Sequence, residues 1–218
     1  MNRKRFGYRL LLAVLVIAGT WQLGQGLYIH AKALLAQALL EHAWQQTRQG
    51  ESRAAPWPWA DTWPVARLSV PSQNVSLIVL AGDSGRTLAF GPGHNFGSAA
   101  LGENGNSFIS GHRDTHFRFL EYLQAGDQVI VETPQGQQKV YQVEQAAITE
   151  AGDAWVESEP LTSRLSLITC YPLEAIVPGG SQRYIVSAIE VNPQTEQPKM
   201  FKGCLLYTSD AADELRAG

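Results

Sequence analysis

Apolar and polar positions alternate with three different rhythms along the chain. Leu10–Gly19 (LLLAVLVIAG) is continuously apolar, and a weaker continuation runs through Trp21, Leu23, Leu27, Tyr28 and Ile29. Taken from Tyr8 to Ile29, this stretch is long enough for a helix across the ~30 Å hydrocarbon core of a bilayer. Ala31–Gln49 is rich in Ala, Leu and Gln, which favour helix. Its Leu34, Leu35, Ala38, Leu39 and Trp44 recur at near-helical spacing, so this stripe either lies on the body or continues the apolar helix. Gly50–Pro64 breaks the rhythm with three prolines and three tryptophans, a stiff linker whose rings belong on the domain or at a membrane surface.

From Val65 the pattern becomes short β-branched runs: Val65–Val70, Val75–Leu80, Ser107–Ser110, Gln128–Thr133, Lys139–Thr149, Leu165–Thr169 and Arg183–Val191. Turn residues separate them, among them Gly82–Gly85, Glu103–Asn106, Gly126-Asp127 and Pro134–Gly136. Seven or eight short strands with few helices predict a closed barrel or a sandwich. One short helix fits Phe117–Leu123, where Phe119, Leu120 and Leu123 share a face. Gly91-Pro92-Gly93-His94 reads as a turn and not as a phosphate loop.

Charge adds a direction to this picture. Residues 1–40 carry five cations (Arg3, Lys4, Arg5, Arg9, Lys32) and no acid, whereas residues 41–192 hold 9 basic and 16 acidic side chains. A cationic cluster before an apolar span stays cytoplasmic, which sends the acidic body outside. A cleaved signal peptide ending near Ala31-Lys32-Ala33 is the competing reading, and it exports the body equally. An acidic body is poorly suited to nucleic acid. The chain has 2 cysteines, too few for a disulfide framework or a four-cysteine zinc site.

Candidate chemistry lies at strand ends. Cys170 closes Arg164–Tyr171 (RLSLITCY) just before Pro172, at an edge where a thiol can meet a substrate. His112 follows a strand and Gly111 in Ile109–Thr115 (ISGHRDT), and Arg183 opens the last strand. Each has an ordinary reading taken singly: a small buried side chain, a surface imidazole, a strand-edge ion pair. Together they supply a nucleophile, a general acid–base and a permanent cation for an oxyanion. Arg113 is a second candidate for the cationic role, and no carboxylate is placed as a third triad member. A metal reading would draw on His112, His116, His94 and Asp114, but the spacing lacks a supporting motif and no metal is expected.

The order His…Cys…Arg resembles the sortases, cysteine transpeptidases. The T-L-x-T-C signature of that family stands here as Ser166-Leu167-Ile168-Thr169-Cys170, with serine in the first position. SGRTLAFGP (84–92), GHRDTHFRF (111–119), TCYP (169–172) and PGGSQRYIV (178–186) are similar to the single-copy branch of Gram-negative bacteria, class GN. The resemblance covers roughly residues 65–192. It implies a mainly β fold, a closed eight-stranded barrel with one or two short helices, preceded by an N-terminal transmembrane helix.

In function it implies attack by Cys170 on a C-terminal LPxTG-like sorting signal and transfer of the thioacyl group to an amine. His112 would act as acid and base, Arg183 would hold the oxyanion, and Thr169, Tyr171 and Arg113 would bind or support the substrate. No cofactor is implied. The partners would be a secreted protein with that signal, an amine acceptor, and membrane lipid around the helix. The implied location is the bacterial inner membrane, single-pass, with a cytoplasmic N-terminus and a periplasmic catalytic domain. The L,D-transpeptidases, which also pair cysteine with histidine and arginine, differ by keeping histidine, glycine and cysteine within one segment. A cysteine endopeptidase hydrolysing the same signal, and a non-catalytic anchored binding module, are the alternatives.

The expected organisation is a leader and transmembrane anchor over 1–29, a helical stalk and Pro/Trp linker over 30–64, the catalytic domain over 65–192, and a tail over 193–218. Gly203–Glu214 (GCLLYTSDAADE) resembles translated adapter read-through, so Cys204 is set aside. Asp153, Glu157 and Glu159 read as a solvated acidic loop, although some sortases bind calcium in a comparable one.

Overall fold

The computed structural model describes residues 2–151, 162–175 and 179–191. The acidic trio Asp153, Glu157 and Glu159, Pro178, and the tail with Cys204 lie outside the described residues. The elements in chain order are α1 (Asn2–Arg48), β1 (Pro64–Val70), β2 (Val75–Ala81), α2 (Gly85–Leu88), β3 (Gly93–His94), β4 (Gly105–Ser110), β5 (Gln128–Glu132), β6 (Gln138–Glu150), β7 (Ser163–Tyr171) and β8 (Gln182–Glu190). The strands close into one barrel in the order β1-β2-β3-β4-β7-β8-β6-β5. Closure leaves no sheet edge, which settles barrel over sandwich.

Seven of the strands coincide with the β-branched runs to within two residues. The eighth, β3, falls in the Gly-Pro-Gly-His segment expected to be a turn. It is two residues long and bridges β2 and β4, with Gly93 opposite both Leu80 and Ser110. A Cβ at Gly93 would collide with the Gly82 carbonyl, so only glycine allows this close strand approach. The expected helix at Phe117–Leu123 is a 3₁₀ segment, Arg118–Tyr122, whose Phe119 and Leu120 are buried. The turn expected at Gly82–Gly85 leads into α2, where the Ser84 hydroxyl accepts from the Thr87 amide.

Most pairings are antiparallel, but β2 and β3 run parallel, as do β4 and β7. β4 and β7 therefore end at the same rim, where antiparallel β8 begins. Alternation along β7 turns Leu165, Leu167 and Thr169 inward. Leu68, Ile109, Val131, Leu165, Leu167 and Val186 fill the interior, all fully buried, and Phe117 plugs it near that rim. Tyr141 is buried with them and its hydroxyl meets Ser163 Oγ at 3.2 Å. Burial pushes the phenol pKa up, so the ring stays neutral.

The two helical stretches read from sequence are one helix of 47 residues, about 70 Å at 1.5 Å per residue. Phe6–Arg48 is long and apolar enough to cross a membrane. The last turns of the same helix lie on the barrel: Leu40, Ala43 and Trp44 are buried, and Leu40 and Trp44 cluster with Ile78 and Leu80 of β2. Arg67 of β1 holds the Glu41 carboxylate with two bonds of 2.6 and 2.7 Å. Burial acts to raise the Glu41 pKa, but bonding from Arg67 and Gln45 outweighs it and lowers the value. Of the linker tryptophans, Trp57 packs edge-on to Phe90 at 4.7 Å and Trp63 stacks with Phe96 at 6.3 Å. Trp59 stays 82% exposed.

Candidate active site

Cys170 is the penultimate residue of β7 and a free thiol. Alternation turns it, with Ser166 and Ile168, to the outer face of the barrel, where it is half-buried. Its partner across the β7–β8 ladder is Arg183. Directly opposed residues point to the same face with Cβ atoms about 5 Å apart, so register alone sets Arg183 beside Cys170 on that face. Arg183 Nη1 donates to the Gly180 and Gln182 carbonyls at 2.8 and 2.9 Å. Among the described residues, its remaining N–H groups have no partner.

His112 reaches the same rim from β4. The register pairs Ser110 with Ile168, and the Gly111 amide continues it by donating to the Ile168 carbonyl at 3.0 Å. Thr169 Oγ1 donates to the Gly111 carbonyl at 2.7 Å. His112 lies two residues beyond Ser110, on the chain that leaves β4 at this rim. Glycine is required at 111 because a Cβ there would meet the Phe117 ring at 2.7 Å. His112 is exposed, and its carbonyl accepts from the Phe117 amide at 3.0 Å, which closes the turn. Among the described residues no hydrogen bond joins the side chains of His112, Cys170 and Arg183.

The supporting residues divide differently from the sequence expectation. Thr169 is buried and its hydroxyl donates to the Gly111 carbonyl, so it ties β7 to the residue after β4 from inside the barrel. Tyr171 is half-buried and stacks on Tyr184, centroids 6.5 Å apart. Arg113 is only 4% exposed, and it donates to the Pro172 and Ala175 carbonyls at 2.7 and 2.6 Å. Asp114 is exposed and accepts from Arg113 Nε at 3.2 Å.

His94 lies on β3 with Nε2 2.9 Å from the Ala99 carbonyl. Among the described residues no three His, Cys, Asp or Glu side chains gather into a metal-binding group. His116 is half-buried beside His112; burial first, and then the charge of His112, lowers its pKa. Ser166, where the sortase signature has threonine, donates to Asn106 Oδ1 at 3.0 Å.

Two features had no sequence signal. The fork of Arg113, read from sequence as a second candidate cation, closes on carbonyls 59 and 62 residues away. The Ser166–Asn106 pair likewise joins residues 60 apart.

Fold and rim together define a closed β-barrel protein whose β4, β7 and β8 ends carry an exposed histidine, a free cysteine and an arginine. The chain belongs to the sortase family: the Sortase domain model matches residues 68–191. It is 32% identical over 120 residues to Sortase D of Bacillus subtilis (strain 168), covering 55% of this chain and 60% of that protein. The match thus spans less than two thirds of that relative's length. Sortase C-1 from Actinomyces oris superposes with a TM-score of 0.53 at 31% identity, covering 59% of this chain and 75% of its own. Sortase A from Corynebacterium diphtheriae shares the fold, with a TM-score of 0.55 at 23% identity over 75% of this chain and 87% of its own.

Proposed function

We propose that the chain is a membrane-anchored cysteine transpeptidase that cleaves an LPxTG-like C-terminal sorting signal and transfers it to an amine. The supporting observation is the shared rim: Cys170 faces Arg183 across the ladder, and Gly111, bonded to Ile168 and Thr169, delivers His112 beside them.

In this reading the Cys170 thiolate attacks the threonine carbonyl carbon, and its electron pair moves to the carbonyl oxygen. Arg183 donates to that oxyanion through the N–H groups its loop contacts leave over. Collapse breaks the C–N bond, and the His112 imidazolium gives its proton to the departing glycine amine. The acceptor amine then attacks the thioester, neutral His112 takes its proton, and the thiolate leaves. Thr169 positions His112 through Gly111, and Tyr171 stacks on Tyr184 on the opposite face of the same strands from the thiol.

The continuous α1 helix supports an anchor over residues 1–29 running into a stalk that ends on the barrel. The basic leader would remain cytoplasmic and the catalytic domain, 65–192, would lie outside the inner membrane, as in a class GN enzyme.

The test incubates the full chain in detergent with a fluorescent LPxTG peptide, with and without glycinamide. The expected products are a thioacyl enzyme and an amide conjugate that grows with amine concentration. Hydrolysis alone at every amine concentration would support the endopeptidase reading, and binding without cleavage would support a non-catalytic module.

A further inference from the structure

We propose that Arg113 is a positioning residue that fastens the His112 turn to the loop after Cys170 and so sets the imidazole–thiol geometry. This rests on the catalytic reading above and adds a residue whose function is to hold that pair together.

Burying a guanidinium is costly unless its donors are used. Here the side chain is 3% exposed and its three kinds of N–H are aimed at three acceptors: Nη1 at Pro172 O, Nη2 at Ala175 O, and Nε at Asp114 Oδ1. An arginine placed only to balance Asp114 would lie outside with it, since Asp114 is 67% exposed. Instead the terminal nitrogens turn inward to main-chain carbonyls two and five residues beyond the proposed nucleophile.

The chain position of Arg113 matters as much as its bonds. It directly follows His112, while Gly111 directly precedes it and is bonded to Ile168 and Thr169 just before the nucleophile. His112 is thus flanked by two ties, one to the strand leading into Cys170 and one to the loop leading out. The main chain that carries His112 and the loop after Cys170 cannot separate without disturbing a bond of 2.7 to 3.0 Å. Lysine carries the same charge but cannot fork across two carbonyls.

The test compares wild type with Arg113→Lys in the full chain, with activity normalised to the folded fraction. The charged groups around the thiol (Arg183, His112 and His116) are the same in both. Misplacement of reacting groups by about 1 Å costs about 10²-fold in rate. The expected result is a kcat for thioacylation down by about 10- to 100-fold with KM changed by less than about two-fold. The rate of Cys170 alkylation by iodoacetamide at fixed pH should also fall.

A structural role alone would lower thermal stability and leave both kcat and the alkylation rate of the folded protein unchanged, and that result overturns the proposal. Should the lysine variant not fold, Arg113→Gly with added methylguanidine provides the second measurement. Rate recovery that saturates with the guanidinium supports the proposal, and refolding without rate recovery overturns it. Cys170→Ala separates the two levels: a variant that still cleaves peptide defeats the catalytic reading. An inactive Cys170→Ala beside an unaltered Arg113→Lys defeats only the positioning proposal.

Discussion

On the β1–β2 side of the barrel, the end of α1 is seated by Leu40 and Trp44 against Ile78 and Leu80, with Arg67 and Glu41 at the margin. Elsewhere around the barrel, the rim of β4, β7 and β8 is assembled by short polar bonds to main-chain carbonyls, from Gly111, Thr169, Arg113 and Arg183. Apolar packing is forgiving in direction and strong in sum, so it suits a joint that must only hold. Directional hydrogen bonds give less net stability each but fix positions to a fraction of an ångström. The helix joint bears on stability, and the rim bears on chemistry.

The comparison breaks if substitutions on the two sides give the same kind of effect. The largest change is expected at the rim: His112→Ala should lower kcat/KM for peptide cleavage by about 10³-fold. His112 is exposed, so the thermal midpoint should move little. A large loss of midpoint with normal specific activity would show that the rim also carries stability.

Trp44→Ala is the mirror experiment. The ring is fully buried, so unfolding in denaturant should be easier by about 3–5 kcal/mol. The kcat of the folded fraction should match wild type, and a changed kcat would couple the helix joint to the site. Glu41→Gln, at the exposed margin of that joint, should cost about 1 kcal/mol or less at neutral pH. Because the Glu41 pKa is lowered by folding, its contribution is present above the ordinary value of 4.5 and fades as pH falls through the lowered value.

His116→Gln should give the smallest change, visible only against pH. Burial and the neighbouring His112 lower the His116 pKa from 6.5, so the unfolded chain binds the proton more readily than the folded one. Stability should therefore fall as pH drops below 6.5 through the lowered value. The variant should show a shallower decline in thermal midpoint over that window, and an identical slope would remove His116 from the account.

Much of the fold is legible because its signals are local. Alternating β-branched residues and intervening turns mark seven strands, and Tyr8–Ile29 marks an apolar helix. β3 is missed because two residues bounded by glycine and proline carry no periodicity, and its pairing depends on a close approach at Gly93. The unbroken length of α1 stays one of two readings because Gly24, Gly26 and the polar Gln22 and Gln25 weaken the pattern without breaking the helix. At the rim, the residue types of His112, Cys170 and Arg183 stand out at strand ends, but their meeting depends on the β4–β7 and β7–β8 registers. The fork of Arg113 depends on the same long-range closure, which no short window contains.

The account turns on one covalent bond. Full-length protein incubated with an LPxTG-type peptide and no amine, quenched in acid and examined by intact-protein and fragment mass spectrometry, tests it most directly. The account predicts a mass increase equal to the acyl portion ending in threonine, located on Cys170, lost on adding hydroxylamine and absent from Cys170→Ala. Peptide cleavage by Cys170→Ala at the wild-type rate, or an acyl adduct on any other residue, would contradict it.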